Sequence, residues 1–594
     1  MKFSDFVAQK LRDFGIDFVA GVTGGGVVHL LRSMENFSDV SIVYTHHEQA
    51  AAYAAEAYAR LDRKAACFVT TGPGGTNAIT GLASAWLDSI PLVFISGQAR
   101  SFSLTGPGTV RQIGSQHFDI ISVVKPISKY AETIRNLQDA ESIIDEALTA
   151  ATSGRPGPVW IDIPLDFQEM DFFVPKNTST RSNPSHKSRN ELIPQELSEL
   201  DDVVSALSAA ERPIFVLGYG SRLSNTHKRL ISIAERENIP MALTWNTLDL
   251  LGSDHHLNVG LIGVNGTRSG NLAVAKSDCV IAFGSHLSLQ LTGPNVNQFA
   301  PKAKIFVIDI DPIEIQHLNS RITGLEFDLS SIMPALESGL RTDGVLEAWN
   351  REIEEIRNLR DYGLPFDDES ESAYANQYIF YRLISQKIRP GDYVVIDGGG
   401  NVLFSTHQQI RLPSGTRAIT GHGLGCMGSG LPHAVGAAFA GNLKNRIYCF
   451  IGDGSMQFNV QELATIKYHN LPITIFIINN DGYLAIINTQ DSFFDRRFGV
   501  NSSTGLYFPN YGAVAAAYEI PYFSIENNQS IYEVLERSSA VSGPCVVEVF
   551  VDPDTPLLPA VGYKMLEGDK RVRRDIYDMD PLLPGELMKR ILGH

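Results

Sequence analysis

Short runs of apolar residues rich in Val, Ile and Phe recur along the chain, separated by stretches long enough for a helix. Continuous apolar runs of about four to eight residues are typical of strands buried on both faces of a parallel sheet. Several runs end in Gly or Asp, at the strand end where ligands bind in open α/β sheets. The pattern predicts an α/β protein whose strands include AACFVTT, PLVFISG, VWIDIP, PIFVLGYG, CVIAFGS, KIFVIDID, YVVIDGGG, IYCFIGDG, ITIFIINN and CVVEVFVD.

Two polar stretches interrupt this alternation. Residues 169–195 are rich in Ser, Asn and Pro, which predicts an exposed linker. Residues 341–375 contain a charged, helix-like segment followed by the acidic run DDESES. The chain of 594 residues has room for about three domains. We therefore expect α/β domains at 1–168, 190–340 and 375–555, followed by a tail at 556–594 that is rich in Pro and charge.

The composition narrows the range of partners. A formal net charge of −17 provides no general positive field for nucleic acid, so an anionic ligand must be held by local groups. The five cysteines are widely spaced, and their positions form neither a disulfide framework nor a zinc pattern. No apolar run is long enough to span a bilayer, and the amphipathic start of the chain has no apolar signal core. We expect a cytoplasmic enzyme without nucleic-acid or membrane partners.

A strand, a GDG motif and a second strand ending in NN form the strongest chemical signal. Twenty-four residues, 455–478, separate Gly454 from Asn479. The pattern places Asp453 and Asn480 at the same edge of a parallel sheet, where hard oxygen ligands and a backbone carbonyl suit Mg²⁺ shared with phosphate oxygens. Gly452 and Gly454 would admit the phosphates close to the backbone, next to the N-terminus of a following helix. Either motif alone would be read as a turn; their pairing favours a metal and diphosphate site.

Two further segments have both an ordinary and a functional interpretation. DGGGNV at 397–402 follows a predicted strand, and its glycines would serve either a tight turn or a second approach to the diphosphate. THHEQAAAYAAEAYAR at 45–60 predicts a helix with Glu48 in its first turn and Glu56 near the same face. A carboxylate at that position is ordinarily an exposed residue that favours the helix dipole.

Several motifs together resemble the acetolactate synthase-like branch of the thiamine-diphosphate enzymes. Besides GDG and NN, these are the helix at 45–60 and the segments TTGPGGTNAITGLASAWLDSIPLVFISGQ at 70–98, SGRPGPVWIDIP at 153–164 and GLGCMGSGLPHAVGAA at 423–438. The resemblance implies a pyrimidine-binding N-terminal domain, a Rossmann-like central domain and a diphosphate-binding C-terminal domain. It also implies thiamine diphosphate and Mg²⁺ as cofactors. In this family one subunit's Glu and its partner's GDG and NN complete each site, so we expect a homodimer or homotetramer.

The same resemblance assigns roles to particular residues. Glu48 would hydrogen-bond the pyrimidine N1′ and favour the imino form whose N4′ removes the proton from thiazolium C2; burial against apolar walls would favour the neutral acid that this requires. Met427 would bend the cofactor, while Gly25 and Gln116 would line the reaction space. The Mg²⁺ ligands would be Asp453, the Asn480 side chain and the Gly482 carbonyl. The remaining implied cofactor-binding residues are Gly72, Asn77, Gly399, Gly400, Asn401, Gly425, Gly452, Gly454, Ser455 and Tyr483.

Two histidines are further candidates for acid–base work. His47 occupies a position that is routinely His in the family without being the main catalyst. His117 lies where these enzymes often carry Glu or Gln, so its role is open, with catalysis as one alternative.

The resemblance weakens in the central domain and around the substrate. His286 and Gln290 replace two arginines that hold FAD in acetolactate synthases, which disfavours FAD, whereas GVNGTRSGN at 263–271 keeps a GxxGT nucleotide loop compatible with FAD or ADP. Thr489 falls where the family has a Trp against the acceptor, which argues against a housekeeping role in branched-chain synthesis. The basic cluster Lys570, Arg571, Arg573 and Arg574 is either solvated surface or a clamp for an anionic acceptor.

The implied activity is that of a carboligase, a transferase or lyase of the acetolactate synthase type. It would decarboxylate a 2-keto acid such as pyruvate and transfer the remaining fragment to a second carbonyl acceptor. Three alternatives remain: simple decarboxylation or C–C lysis, transfer to a nucleotide-linked keto-sugar in polysaccharide synthesis, and a catalytically silent binding homologue. The presence of Glu48, Asp453 and Asn480 argues against the last.

Overall fold

A computed structural model describes residues 1–104, 110–173, 194–342, 346–366, 373–566 and 570–593. It contains three six-stranded parallel sheets with helices between the strands, which confirms the predicted α/β class. All ten predicted strands are strands in the structure. None of the helices in the described ranges is both long enough and apolar enough to cross a bilayer.

The three sheets follow one another along the chain, and two small antiparallel pairs follow them. The first sheet has the order β2-β1-β3-β4-β6-β5, the second β12-β11-β10-β7-β8-β9 and the third β14-β13-β15-β16-β18-β17. The antiparallel pairs are β19 with β22 and β20 with β21. The strands are β1 Phe18–Gly21, β2 Ser41–Tyr44, β3 Ala65–Val69, β4 Val93–Gln98, β5 Tyr130–Thr133, β6 Val159–Pro164, β7 Pro213–Leu217, β8 Met241–Leu243, β9 Asn258–Leu261, β10 Cys279–Phe283, β11 Lys304–Asp309, β12 Ile322–Glu326, β13 Tyr393–Ile396, β14 Arg417–Thr420, β15 Ile447–Gly452, β16 Ile473–Asn479, β17 Tyr522–Ile525, β18 Cys545–Phe550, β19 Ala560–Val561, β20 Tyr563–Leu566, β21 Lys570–Arg573 and β22 Met579–Asp580.

Helices connect the parallel strands, as right-handed crossovers between parallel neighbours require. The α-helices are α1 Phe3–Phe14, α2 Val28–Met34, α3 Glu48–Arg60, α4 Pro73–Leu87, α5 Ile120–Val124, α6 Ala140–Thr152, α7 Leu165–Glu169, α8 Pro194–Ser208, α9 Tyr219–Leu223, α10 His227–Glu237, α11 Arg268–Lys276, α12 Leu289–Thr292, α13 Pro312–Gln316, α14 Leu329–Gly339, α15 Glu347–Arg357, α16 Gln377–Ser385, α17 Gly400–Gln409, α18 Gly430–Ala440, α19 Asp453–Met456, α20 Glu462–Tyr468, α21 Leu484–Phe493, α22 Tyr511–Ala517, α23 Asn528–Ser539 and α24 Gly585–Leu592.

The chain forms two compact units. The first comprises residues 1–183, 391–402 and 419–553, and the second comprises residues 184–390, 403–418 and 554–594. The charged segment predicted as helix-like within 341–375 is α15. Residues 174–193 of the predicted linker, and the acidic run at 367–372, lie outside the described residues. The tail predicted at 556–594 supplies the two antiparallel pairs and α24.

Close packing of α3 against α18 joins the first and third sheets within the first unit. α3 is rich in Ala, α18 is rich in Ala and Gly, and both helices are almost wholly buried. A Cβ on Gly436 of α18 would overlap the carbonyl of Ala54 in α3. Small residues at this crossing therefore allow the two backbones to touch, which fixes α3, and with it Glu48, against the C-terminal part of the unit.

Candidate cofactor site

The carboxyl ends of β15 and β16 bring the GDG and NN motifs together. The two strands are paired so that Gly452 lies beside Ile478, one residue before Asn479. Asp453 begins α19 directly after β15, and Asn480 follows β16. Asp453 and Asn480 are both buried, at 1% and 6% exposure. The predicted placement of these two side chains at one edge of the sheet is thus observed.

Backbone amides hold the Asp453 carboxylate in position. Its Oδ1 accepts from the N–H of Gly454 at 2.7 Å, and its Oδ2 accepts from the N–H of Gly482 at 2.9 Å. Burial raises the pKa of Asp453 to about 7, although these amides and that of Asn480 oppose the shift. A carboxylate buried at this cost is a site where a bound cation would be strongly stabilising.

The oxygen donors at this edge fit Mg²⁺ shared with a diphosphate. Within the described ranges no hydrogen bond holds the Asn480 side-chain amide, and the backbone at Gly482 lies beside Asp453. The same ranges contain no group of three or more His, Cys, Asp or Glu side chains arranged for a metal. A site made of one carboxylate and two neutral oxygens, those of the Asn480 side chain and the Gly482 carbonyl, would leave coordination positions on Mg²⁺ free for phosphate oxygens.

Gly452, Gly454 and Gly482 allow neighbouring groups to pack closely at this edge. A Cβ on Gly454 would overlap the ring of Tyr483, so Tyr483 packs directly over the GDG turn. Gly482 has φ +152°, and a Cβ there would lie 2.5 Å from the carbonyl oxygen of Val500. The Tyr511 hydroxyl donates to the carbonyl of Asp453. These contacts fix the turn from several directions.

The helix expected after GDG is two short helices, α19 and α20, rather than one. Asn459 lies between them, buried, and its side-chain amide donates to the carbonyl of Gly428 at 2.9 Å. This hydrogen bond connects the break between the two helices to the GCMGSG loop. The apolar periodicity of the segment does not predict the break, because the partner of Asn459 lies elsewhere in the chain.

A buried aspartate connects the two other glycine-rich loops. Asp397 accepts from the N–H of Gly399 and from the N–H of Gly430, each at 2.9 Å. Burial raises its pKa, and these hydrogen bonds oppose the rise. Sequence reasoning did not select Asp397, although its position directly after a buried strand was an available signal.

The predicted residues of these loops lie around Gly399. A Cβ on Gly399 would lie 2.8 Å from Cγ of Met427 and would overlap Oγ of Ser455. Asn401 is buried in the first turn of α17, and Gly400 has φ +51°. Gly425, with φ +69°, is exposed. Met427, Ser455 and the glycines therefore form one surface next to Asp453.

Glu48 lies in the first turn of α3 within a second group of predicted residues. The Asn77 amide donates to Glu48 Oε2 at 2.9 Å, and a Cβ on Gly74 would lie 3.4 Å from Oε1. The side chain is half-buried. His47 is the N-cap of α3, and its Nδ1 accepts from the N–H of Gln49 at 3.1 Å. This capping hydrogen bond gives His47 a structural role.

The loops facing Glu48 carry the other candidates. Thr70 Oγ1 accepts from the N–H of Gly26, next to Gly25, which is exposed and has open space where a Cβ would lie. A Cβ on Gly72 would lie 2.7 Å from the carbonyl oxygen of Gln116, and the side chain of Gln116 is exposed. Thr70 was not selected from the sequence, although it is the first residue of the quoted segment at 70–98.

His117 is buried beside Gln116. Its exposure is 6%, and its Nδ1 has no hydrogen-bond partner among the described residues. The backbone of this loop is held by Gln98, whose Nε2 donates to the carbonyl of Phe118 at 2.9 Å. A catalytic role for His117 remains a prediction.

Glu56, the second carboxylate of α3, is part of a buried ion-pair network. Its Oε1 accepts from Arg60 Nε at 3.1 Å and from the Ser84 hydroxyl at 3.0 Å, and its Oε2 lies 3.4 Å from His433 Nε2. Arg60 also pairs with Asp88. Although burial opposes the shift, these cationic partners lower the pKa of Glu56. The network joins α3 to α18, so Glu56 is structural.

Within the described part of the chain, the residues predicted to bind a nucleotide or the acceptor do not form a single group like those around Glu48 and Asp453. His286 and Gln290 are exposed, and the GxxGT loop is held by Asn271, whose side chain bonds both the N–H and the carbonyl of Gly263 at 2.8 Å. Thr489 is exposed on α21, and its hydroxyl donates to the carbonyl of Ala485.

In the basic cluster of the tail, Arg574 pairs with Asp580 and Arg573 lies 5.9 Å from the Tyr563 ring centroid. The side chains of Lys570 and Arg571 lie outside the description. Arg574 is therefore neutralised by the chain itself, which weakens the clamp interpretation.

Comparison with known proteins agrees with this geometry over nearly the whole chain. The family models that match are "Thiamine pyrophosphate enzyme, N-terminal TPP binding domain" at residues 1–122, the central domain of the same enzymes at 200–336, and their C-terminal TPP binding domain at 398–549. The acetolactate synthase isozyme 1 large subunit of Escherichia coli (strain K12) is 29% identical, over 94% of this chain and 95% of its own length.

Two other relatives are slightly more similar in identity. The isozyme 2 large subunit of Escherichia coli (strain K12) is 30% identical, over 94% of this chain and 97% of its own length. Acetolactate synthase 2, chloroplastic, of Nicotiana tabacum is 31% identical, over 94% of this chain and 83% of its own length. With all three domains matched and full-length relatives at this identity, the chain belongs to the thiamine pyrophosphate enzyme family and is an acetolactate synthase-like, thiamine diphosphate-dependent enzyme.

Proposed function

We propose that this enzyme is a carboligase of the acetolactate synthase type, which decarboxylates pyruvate and joins the remaining two-carbon unit to a second 2-keto acid. The observation that supports this most directly is that the chain contains both residue groups, one around Glu48 and one around Asp453. The chain is also similar to acetolactate synthases over 94% of its length. Simple decarboxylation, transfer to a nucleotide-linked keto-sugar and a silent homologue are less favoured. Thr489, an exposed residue where the family has a Trp against the acceptor, places little restriction on the second substrate.

Asp453, the Asn480 side chain and the Gly482 carbonyl would hold Mg²⁺, which would in turn hold the diphosphate. Gly452 leaves the backbone open to the phosphates, and Gly454 lets the Tyr483 ring pack against the turn. Because burial destabilises the ionised form of Asp453, the bivalent ion would be bound most strongly when that carboxylate has lost its proton.

Thiamine diphosphate, when bound, supplies the carbon nucleophile and accepts the electrons released by decarboxylation. The task of Glu48 is to hold a proton at the pyrimidine N1′, and Asn77 fixes the carboxyl in place by donating to Oε2. Met427 would support the bend of the cofactor. Gly25 and Gln116, on loops adjacent to Glu48, leave space for the substrate.

A second copy of the chain would complete each site. Glu48 and Asp453 belong to separate groups of residues, and the family arrangement pairs one subunit's Glu with the partner's GDG and NN. Large apolar side chains on the first unit are exposed in the single chain, at 51% for Phe458, 68% for Phe493 and 84% for Tyr507. Exposed large apolar side chains of this kind are suited to an interface between subunits. We therefore propose a homodimer or homotetramer acting in the cytoplasm.

The proposal is tested by incubating the purified protein with thiamine diphosphate, Mg²⁺ and pyruvate, with 2-ketobutyrate as an alternative acceptor. We expect CO₂ release coupled to formation of a 2-hydroxy-2-methyl-3-keto acid from pyruvate alone, or of its 2-ethyl homologue when 2-ketobutyrate is the acceptor, in a ratio of one CO₂ per ligated product. CO₂ and free aldehyde without ligated product would show a decarboxylase instead. The Glu48→Gln variant is the matched control for cofactor-dependent turnover, and the absorption spectrum of the same sample reports any bound flavin.

A further inference from the structure

A polar cavity beside the second sheet shares no lining residue with the groups around Glu48 and Asp453. Its volume is about 370 Å³, and it lies entirely within the second unit, against the edge strand β9. The nucleotide loop predicted for the central domain, GVNGTRSGN at 263–271, follows β9, and its Ser269 also lines the cavity. The residues that line the cavity include Ser253, Glu354, Arg357, Arg360, Asp361 and Arg411.

Three arginines in the cavity wall have more N–H donors than there are acceptors in the described chain to receive them. A guanidinium carries five N–H donors. Arg360 gives a single hydrogen bond within the described chain, from an Nη to the carbonyl of Gln408 at 3.3 Å, and its Nε is buried with no partner. Arg357 likewise gives a single one, to the carbonyl of Asp254 at 3.3 Å. The unsatisfied donors identify the cavity as a place for an acceptor-rich ligand.

Arg411 is better satisfied but adds positive charge. It pairs with Asp361 at 2.5 Å and donates to the carbonyls of Gln408 and Gln409 at the end of α17. Burial and the nearby guanidinium groups of Arg411 and Arg357 lower the pKa of Arg360 well below its ordinary value. Like charges held this close repel one another unless an anion lies between them.

The donors match a phosphate group better than a carboxylate. The three guanidinium groups face only two carboxylates in the lining, Glu354 and Asp361, one of which Arg411 already engages. Ser253 Oγ accepts from the N–H of Leu412 and keeps its own proton to donate. Guanidinium forks and hydroxyls recognise the several oxygens of a phosphate bidentately, whereas one carboxylate has fewer acceptor positions.

We propose that this cavity binds the phosphate group of a small phosphorylated molecule, held by Arg360 and Arg357 with Arg411 and Ser253 alongside. The space exceeds what a bare phosphate ion fills, so it has room for an organic part of the ligand. No role in turnover is assigned to it, and binding is independent of the carboligase chemistry.

Calorimetric titration of the holoenzyme, saturated with thiamine diphosphate and Mg²⁺, tests the proposal. The probes are inorganic phosphate, glycerol 3-phosphate and, as the uncharged control, glycerol. We expect saturable binding of glycerol 3-phosphate at one site per chain, weaker binding of phosphate and none of glycerol. Arg360→Gln and, separately, Arg357→Gln should each weaken binding at least tenfold. The matched control is Arg351→Gln, an exposed arginine on the same helix as Arg357 and outside the lining, which should bind as the unmodified enzyme does.

Two results would overturn the proposal. One is that glycerol 3-phosphate shows no saturable binding, or that its binding is unchanged in both lining variants. If Arg360→Gln fails to fold, Arg357→Gln alone decides this test. The other concerns the acidic run at 367–372, which carries four carboxylates. If phosphate binds only after these are changed to amides, the chain's own acidic segment is the occupant of the cavity. Turnover measured on the same samples separates this result from a failure of the proposed carboligase function.

Discussion

Replacing Asp453 by Asn should change how the stability of the cofactor-free enzyme depends on pH. Burial raises the pKa of Asp453 from 3.8 to about 7. A carboxyl whose pKa is higher in the folded state has no effect on the free energy of unfolding below pH 3.8, because it is protonated in both the folded and the unfolded state. Above that pH the unfolded chain ionises first, so the folded state loses stability until pH 7, where it ionises as well.

The size of the effect follows from the shift of about three pKa units, at about 1.4 kcal/mol for each unit. The full cost approaches about 4 kcal/mol above pH 7, and about 2 kcal/mol of it develops between pH 5 and pH 7. The amide introduced by Asp453→Asn cannot ionise, and it also leaves one of the N–H groups of Gly454 and Gly482 without an acceptor, at a cost that does not depend on pH. The difference between the pH slopes of the two proteins therefore isolates the ionisation.

The assay is thermal unfolding of both apoproteins from pH 5 to pH 7, without Mg²⁺ or thiamine diphosphate. The melting temperature of the native sequence should fall relative to that of Asp453→Asn by roughly 4–8 °C across this range, since 1 kcal/mol corresponds to about 2–4 °C in domains of this size. Adding both cofactors should stabilise the native sequence and leave the variant unchanged. Parallel pH profiles for the two apoproteins would refute the claim that burial destabilises the ionised carboxylate.

Three other substitutions test separate parts of the site. Glu48→Gln should retain cofactor binding, because Asn77 can still hydrogen-bond the side-chain oxygen, but should reduce C2 proton exchange followed by NMR at least a hundredfold; unchanged exchange would contradict the role of Glu48. Gly454→Ala should weaken thiamine diphosphate binding at least tenfold in a fluorescence titration, because the added methyl group must displace the Tyr483 ring; unaltered affinity would show that this turn does not approach the cofactor. Glu56→Gln should lower the free energy of unfolding by about 3–5 kcal/mol, measured by urea denaturation, since it leaves Arg60 buried without one of its two carboxylates; an effect below about 1 kcal/mol would show that Asp88 alone suffices.

The strands that sequence reasoning found are those at the centre of each sheet. β10 and β15, for example, are flanked by strands on both sides, and their side chains are almost all buried, so each is a continuous apolar run. The strands it missed are edge strands such as β2 and β12, whose burial is mixed, and short interior ones such as β8 with three residues. A short or half-exposed strand has no pattern that distinguishes it from a loop.

The candidate site shows the same division. Asp453 and Asn480 were found because motif and strand end coincide in the sequence, and Glu48 was found because the helix that begins with it resembles that of the family. Asp397 and Asn459 were missed because their role is to join loops that lie far apart in the chain: Asp397 connects Gly399 to Gly430, and Asn459 reaches Gly428. The arginine cavity was missed for the same reason, since Arg360 and Arg411 meet only through the fold.

The central claim is that an active site takes its acidic residue from one chain and its metal from another, and subunit complementation tests it most directly. Glu48→Gln and Asp453→Ala, each inactive alone, are unfolded, mixed in equal amounts and refolded together. If each site is shared, random dimers regain about one quarter of the native activity, because half of the dimers are mixed and each has one intact site. A mixture that stays inactive, although mass spectrometry of the intact assembly shows that mixed dimers have formed, would place both residues of a site on one chain and contradict the account.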